Sequence, residues 1–133
     1  MKVHHFGFVV RNIRQACASF RPLFSVEPSV PVVHDSLQRV SVTFLPLLEG
    51  VRLELIEPAG PGSPVERFLA AGGGLHHICF QTPNIQADVE RLRQLGMVLV
   101  SGPTPAAAFA NRQIAFLYGS ESRLVELLEE DGT

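Results

Sequence analysis

Shifted by 72 residues, this chain aligns with itself without a gap, and a chain that repeats in this way folds as repeated modules. His4 and His5 fall on His76 and His77, and Phe8 falls on Phe80. Asn12-Ile13 falls on Asn84-Ile85, Leu23 on Leu95, and Phe44-Leu45 on Phe116-Leu117. Glu54-Leu55 falls on Glu126-Leu127, and Glu57 on Glu129. Apolar coincidences are cheap between any two core-forming segments, so the polar ones decide. His is only 5 of 133 residues, so a His-on-His match at a chosen position has chance (5/133)², roughly one in seven hundred before the choice of offset. Two adjacent matches of that kind, followed by Glu on Glu twice, point to duplication. The expectation is one domain over 1–133, with module one at about 1–70 and module two at about 73–130.

Each module is expected to run β-α-β-β-β. Lys2 to Val10 and Leu75 to Thr82 are rich in Val, Ile and Phe and read as strands. Asn12 and Asn84 are N-caps of the helices that follow. In module two the helical stripe is Ile85, Val89, Leu92 and Leu95, stopped by Gly96. In module one it is Ile13, Ala16, Cys17, Phe20 and Phe24, with Pro22 weakening the last turn. Three strand-like runs follow each helix: Ser29–Val33, Arg39–Pro46 and Val51–Glu57, then Val98–Ser101, Gln113–Tyr118 and Arg123–Leu128. Between the modules, Ser63-Pro64-Val65-Glu66 has the form of a capping box, opening a short helix through Ala71. Gly72-Gly73-Gly74 would then be a flexible joint.

The repeat also selects a chemistry. Side chains alternate faces along a strand. In each module His lies on the first strand and Glu on the last, at the same separation, since 54 − 5 and 126 − 77 are both 49. Modules paired by a pseudo-two-fold rotation would bring His5, Glu54, His77 and Glu126 to one cleft. Two imidazoles with two carboxylates suit a borderline divalent ion such as Co, Ni, Zn, Mn or Fe. An octahedral ion would keep two positions open for water or substrate oxygen, the mark of a catalytic site. The bland alternative is a duplicated fold that kept these residues and holds no ion.

Other features carry less. His4 and His76 alternate away from the ligand face, toward the helix side or solvent, and Glu57 and Glu129 read as exposed charges at strand ends. The triple glycine is no phosphate loop, because no GK[ST] follows it. Cys79 shares a face with His77 and reads as inert filler. His34 and Asp35 fall in a turn with no evident partner. With two cysteines, no metal spacing and no apolar leader in MKVHHFGFVV, the expectation is a cytoplasmic protein with free thiols, one disulfide being the alternative. A net charge of −2 and a pI near 6.2 give no footprint for nucleic acid, and no apolar run is long enough for a membrane.

These residues resemble the vicinal oxygen chelate superfamily, which includes glyoxalase I, methylmalonyl-CoA epimerases, extradiol dioxygenases and bleomycin-resistance proteins. HHFGFVVRNI, VTFLPL, VRLELIEP, LVELLE and above all GSPVERFLAAGGGLHHICFQTPNI are similar to the epimerase branch. The resemblance implies an α+β fold of two βαβββ modules, forming a cup-shaped mixed sheet around a metal cleft. It implies His5, Glu54, His77 and Glu126 as the ligands of one divalent metal ion. The implied activity is an isomerase or lyase that removes a proton beside a metal-coordinated carbonyl, the substrate being an acyl-CoA or another thioester. Some epimerases carry a catalytic Glu on the strand that here reads Arg39-Val40-Ser41-Val42-Thr43. With no acid there, Glu126 becomes the candidate catalytic residue. A lactoylglutathione lyase of the glyoxalase I kind and a non-catalytic binder of the bleomycin-resistance kind are the alternatives. A dioxygenase is disfavoured, because a fourth protein ligand crowds the positions its chemistry needs. By analogy with such proteins a homodimer is expected, with no nucleic-acid or membrane partner.

Overall fold

Alternation along the first strand, β1 (Lys2–Val9), sends Phe6 and Phe8 toward a helix and leaves His5, Gly7 and Val9 on the opposite face. The structure, a computed structural model, describes residues 1–28, 30–47 and 50–132. It divides into two compact units, His5–His76 and Met1–His4 with His77–Thr133. Among the described residues no helix is long and apolar enough to cross a membrane.

In the first unit β1 is followed by α1 (Ile13–Phe24), β2 (Val33–Asp35), β3 (Val40–Pro46) and β4 (Arg52–Pro58). Asn12 caps α1 as expected: its backbone is extended and its side chain accepts the Gln15 N–H at 3.0 Å. Pro22 does not stop the helix. It only withholds one N–H, and the chain turns out at Ser25, which takes the left-handed conformation and donates its N–H to the Arg21 carbonyl. The strands lie in the order β2-β3-β4-β1, with β1 and β4 parallel and the other neighbours antiparallel. Ile13 and Cys17 of α1 pack on Leu45, Leu53 and Leu55, and each fully buried leucine contributes roughly 1.5–3 kcal/mol. Burial pushes the Cys17 thiol above its ordinary pKa, so it stays protonated in this core.

After α2 (Glu66–Ala70), the second half of the chain repeats the plan with β5 (Gly74–Thr82), α3 (Ile85–Gln94), β6 (Val98–Pro105), β7 (Gln113–Gly119) and β8 (Arg123–Glu129). Its order is β5-β8-β7-β6, again with the first and last strands of the module parallel. Asn84 caps α3 through the Ala87 N–H, and Ile85 and Val89 pack on Ala115, Leu117, Val125 and Leu127. The register itself repeats at the 72-residue offset. Gly7 lies opposite Glu54 as Cys79 lies opposite Glu126, and Phe44 opposite Glu54 as Phe116 opposite Glu126.

Several expectations are corrected. The strand expected at Ser29–Val33 is Val33–Asp35, and Ser29 lies outside the described residues. His34 is therefore in a strand, with Nδ1 3.0 Å from the Ser41 hydroxyl, and Asp35 accepts the N–H groups of Leu37 and Gln38. That aspartate turn ends β2 and begins the hairpin. Ser63 does not cap α2. Pro64 and Val65 form a turn ahead of the helix, Val65 occupies the cap position, and Glu66 reaches back to the Gly62 N–H instead. The glycine run is a packed turn rather than a flexible joint. Gly72 and Gly73 donate to Leu69 and Phe68, and a Cβ at Gly73, with φ +69°, would stand 2.8 Å from the Val9 carbonyl. Glu57 and Glu129 are half-buried acceptors, taking the N–H groups of Ile13 and Gln113. Unpaired strand-end and helix-end N–H groups recruited them. The sixth strand runs on to Pro105, past the expected Ser101, and a single 3-10 turn follows at Ala107–Phe109.

The turn into α3 makes a first prediction. Thr82, fully buried, donates its hydroxyl to the Asp88 carboxylate and accepts the Asn84 N–H. That hydroxyl, aided by Arg91, holds the Asp88 carboxyl below the usual carboxylate range. A depressed folded-state pKa adds stability above the unfolded value of about 3.9 and loses it as pH falls through the folded one. Thr82→Val should therefore cost about 1–3 kcal/mol at neutral pH. Urea melts at pH 7 and pH 3 check it: the loss should shrink in acid, and an equal loss at both would refute the coupling.

Candidate metal centre

The parallel pairing of β1 with β4 fixes the first pair of donors. Glu54 lies opposite Gly7, and His5, two residues earlier on β1, shares Gly7's face. Leu53 and Leu55 on either side of Glu54 turn to the helix, which commits the glutamate to the other side. The result is His5 Nε2 at 3.4 Å from Glu54 Oε1, with His5 wholly buried and Glu54 6% exposed. The second unit builds the same pair by the same means. His77 Nε2 lies 3.0 Å from Glu126 Oε1, and both are buried. Val125 and Leu127 turn to α3 as Leu53 and Leu55 turn to α1.

The donor chemistry fits a divalent cation. A buried carboxylate is costly to desolvate unless positive charge or strong donors face it. Each unit sets an imidazole nitrogen beside such a carboxylate, and neutral imidazole with carboxylate is a borderline-metal donor set. The structure thus brings His5 to Glu54 and His77 to Glu126.

The neighbouring histidines, His4 buried and His76 half-buried, each pack against a phenylalanine ring. His4 is buried with its ring perpendicular to Phe109 at 5.4 Å, and the His76 ring meets Phe68 at 4.8 Å. Cys79 is fully buried on the His77 face, and both cysteines are free thiols. One part of the site escaped the sequence reading. Phe44 and Phe116 were legible only as apolar matches in the repeat, but their rings stand at 5.6 Å and 5.3 Å from those of His5 and His77. The signal that would have found them is strand parity, since each is one residue out of step with the leucine that packs on the helix.

With fold and donors in place, the family follows. The model of the Glyoxalase/Bleomycin resistance protein/Dioxygenase superfamily matches residues 4–116, and the chain belongs to that superfamily. Within it the chain is similar to epimerases. It is 29% identical over 130 residues to the ethylmalonyl-CoA/methylmalonyl-CoA epimerase of Cereibacter sphaeroides, covering 95% of this chain and 96% of that one. It is 29% identical over 133 residues to the mitochondrial methylmalonyl-CoA epimerase of Dictyostelium discoideum, covering 97% and 78%. The crystal structure of methylmalonyl-CoA epimerase from Mycobacterium tuberculosis shares the fold, with a TM-score of 0.85 and 22% identity over 98% of this chain and 88% of that one.

Proposed function

We propose that the chain is a metal-dependent epimerase of an acyl-CoA thioester, with His5, Glu54, His77 and Glu126 holding one divalent cation. The observation that carries this reading is the buried imidazole–carboxylate pair formed twice over, at 3.4 and 3.0 Å. One pair alone offers two protein donors, fewer than the three or four that zinc sites in proteins use. Two pairs together supply four. Co, Ni, Zn, Mn and Fe all suit that donor set. The thioester comes from the relatives, two of which are named for ethylmalonyl-CoA or methylmalonyl-CoA. They favour an epimerase over a lactoylglutathione lyase or a non-catalytic binder.

A cation in this site supplies a Lewis acid that makes a C–H beside a substrate carbonyl more acidic. The chain's own part is to place the base, Glu126, beside His77. A Glu126 oxygen takes the proton, the electron pair of the C–H bond shifts onto the carbonyl oxygen, and a water molecule returns a proton to the opposite face, inverting the carbon, while the hydroxide left behind takes the proton held by Glu126. No residue of β3, Val40–Pro46, is an acid, so Glu126 carries this step in the proposal. A homodimer in the cytoplasm completes the reading, supported by the edge strands β2 and β6 as surfaces for self-pairing.

The test is proton exchange. In deuterated buffer with methylmalonyl-CoA and added cobalt, the folded protein should place deuterium at the α-carbon. Failure to exchange with any of the five metals would overturn the proposal.

A further inference from the structure

Two phenylalanines, Phe44 and Phe116, stand beside the histidines at matching positions of the two modules. On β3, Leu45 turns to α1 and is 1% exposed, and on β7 Leu117 turns to α3 and is fully buried. The residue before each faces the other way. Phe44 stands at 71° to the His5 ring with centroids 5.6 Å apart, and Phe116 stands at 86° to the His77 ring at 5.3 Å. Each phenylalanine is also the cross-strand partner of the glutamate in its own unit, Glu54 or Glu126. Three residues per module therefore repeat together in space: the imidazole, the carboxylate and the ring that touches one and neighbours the other.

We infer that Phe44 and Phe116 are positioning residues for the two imidazoles, fixing each ring so that Nε2 is presented as a ligand nitrogen. The inference rests on the metal reading above. An imidazole on a strand has a broad, roughly two-fold second torsion, so backbone placement alone leaves its plane undetermined. A perpendicular aromatic neighbour removes that freedom, because the offset or edge-on arrangement is the favoured one and a turned ring would lose it. The same benzyl group shields the histidine from water, which strengthens the attraction between the glutamate and a cation. Metal-ligating histidines are ordinarily oriented by a carboxylate or carbonyl on the second nitrogen. In each unit of this chain a steeply inclined phenylalanine ring adds an orienting contact of its own.

The test uses the intact chain and cobalt(II) as the probe. Phe44→Leu and Phe116→Leu keep an apolar side chain of similar volume, and each should weaken cobalt binding by roughly 10–100-fold, the cost of losing an orienting partner. Phe44→Tyr and Phe116→Tyr, which keep the ring, should restore most of the affinity. Leu45→Ala and Leu117→Ala, on the helix side of the same strands, should lower thermal stability more and leave affinity of the folded protein unchanged. In the metal-free parent, the ring protons of His5 and His77 should show ring-current shifts in NMR that the leucine variants abolish. This readout holds even where a variant folds poorly, because the parent alone displays it. Cobalt bound equally tightly by folded leucine variants, or unshifted histidine protons in the parent, would overturn the inference while leaving the metal reading standing. No cobalt uptake by the parent at all would instead sink the metal reading, and this inference with it.

Discussion

Glu126→Gln is expected to cut α-proton exchange by roughly 10²–10⁴-fold while leaving the fold in place. The argument is one of shape against basicity. Glutamine fills the same volume at a position only 2% exposed, and its amide oxygen can still face His77, 3.0 Å away in the parent. What it cannot do is accept a proton. Leu127 beside it continues to pack on α3, so circular dichroism and the melting temperature should change little. Glu54→Gln is the informative comparison. If Glu54 serves only to hold the cation, its loss should be repaired by raising the metal concentration, whereas the Glu126→Gln loss should not. Full exchange by Glu126→Gln, with metal bound and the fold intact, would refute the assignment.

Much of this was legible before any coordinates, for a specific reason. Duplication writes the fold twice, so each strand and helix in one half is checked by its copy, and the pairs His5 with Glu54 and His77 with Glu126 both form. The failures fall where the copies differ or where parity was not followed through. Module one has Glu57 on the Ile13 N–H. Its counterpart Glu129 takes Gln113 instead, and near α3 Thr82 accepts the Asn84 N–H. Similar local needs are met by different side chains, which no repeat can reveal. The capping box at Ser63 failed because a short motif ignores the turn that Pro64 and Val65 form ahead of the helix. The glycine run was misread as slack because composition does not show that the Val9 carbonyl stands where a Cβ would be.

Divalent metal should also be the largest single source of added stability, and the pattern of its loss tests whether the two pairs act as one site. A ligand bound only by the folded chain adds RT ln(1 + [L]/Kd), about 4 kcal/mol at a free concentration a thousand times Kd. For a chain of this size that is a rise in melting temperature on the order of 10–20 °C. A chelator should reverse it, and acid should weaken it, since protons compete for imidazole nitrogens and carboxylates. His5→Ala and His77→Ala then separate two arrangements. If one ion draws on both pairs, either substitution removes most of the metal-dependent rise, because a site of four donors drops to three and keeps a buried glutamate without its imidazole. If each unit bound its own ion through two donors, each substitution would remove only its own share and leave the other. Melting curves of the parent and both variants, with and without cobalt, decide the matter. A parent curve that none of the five metals moves would remove the basis for both arrangements.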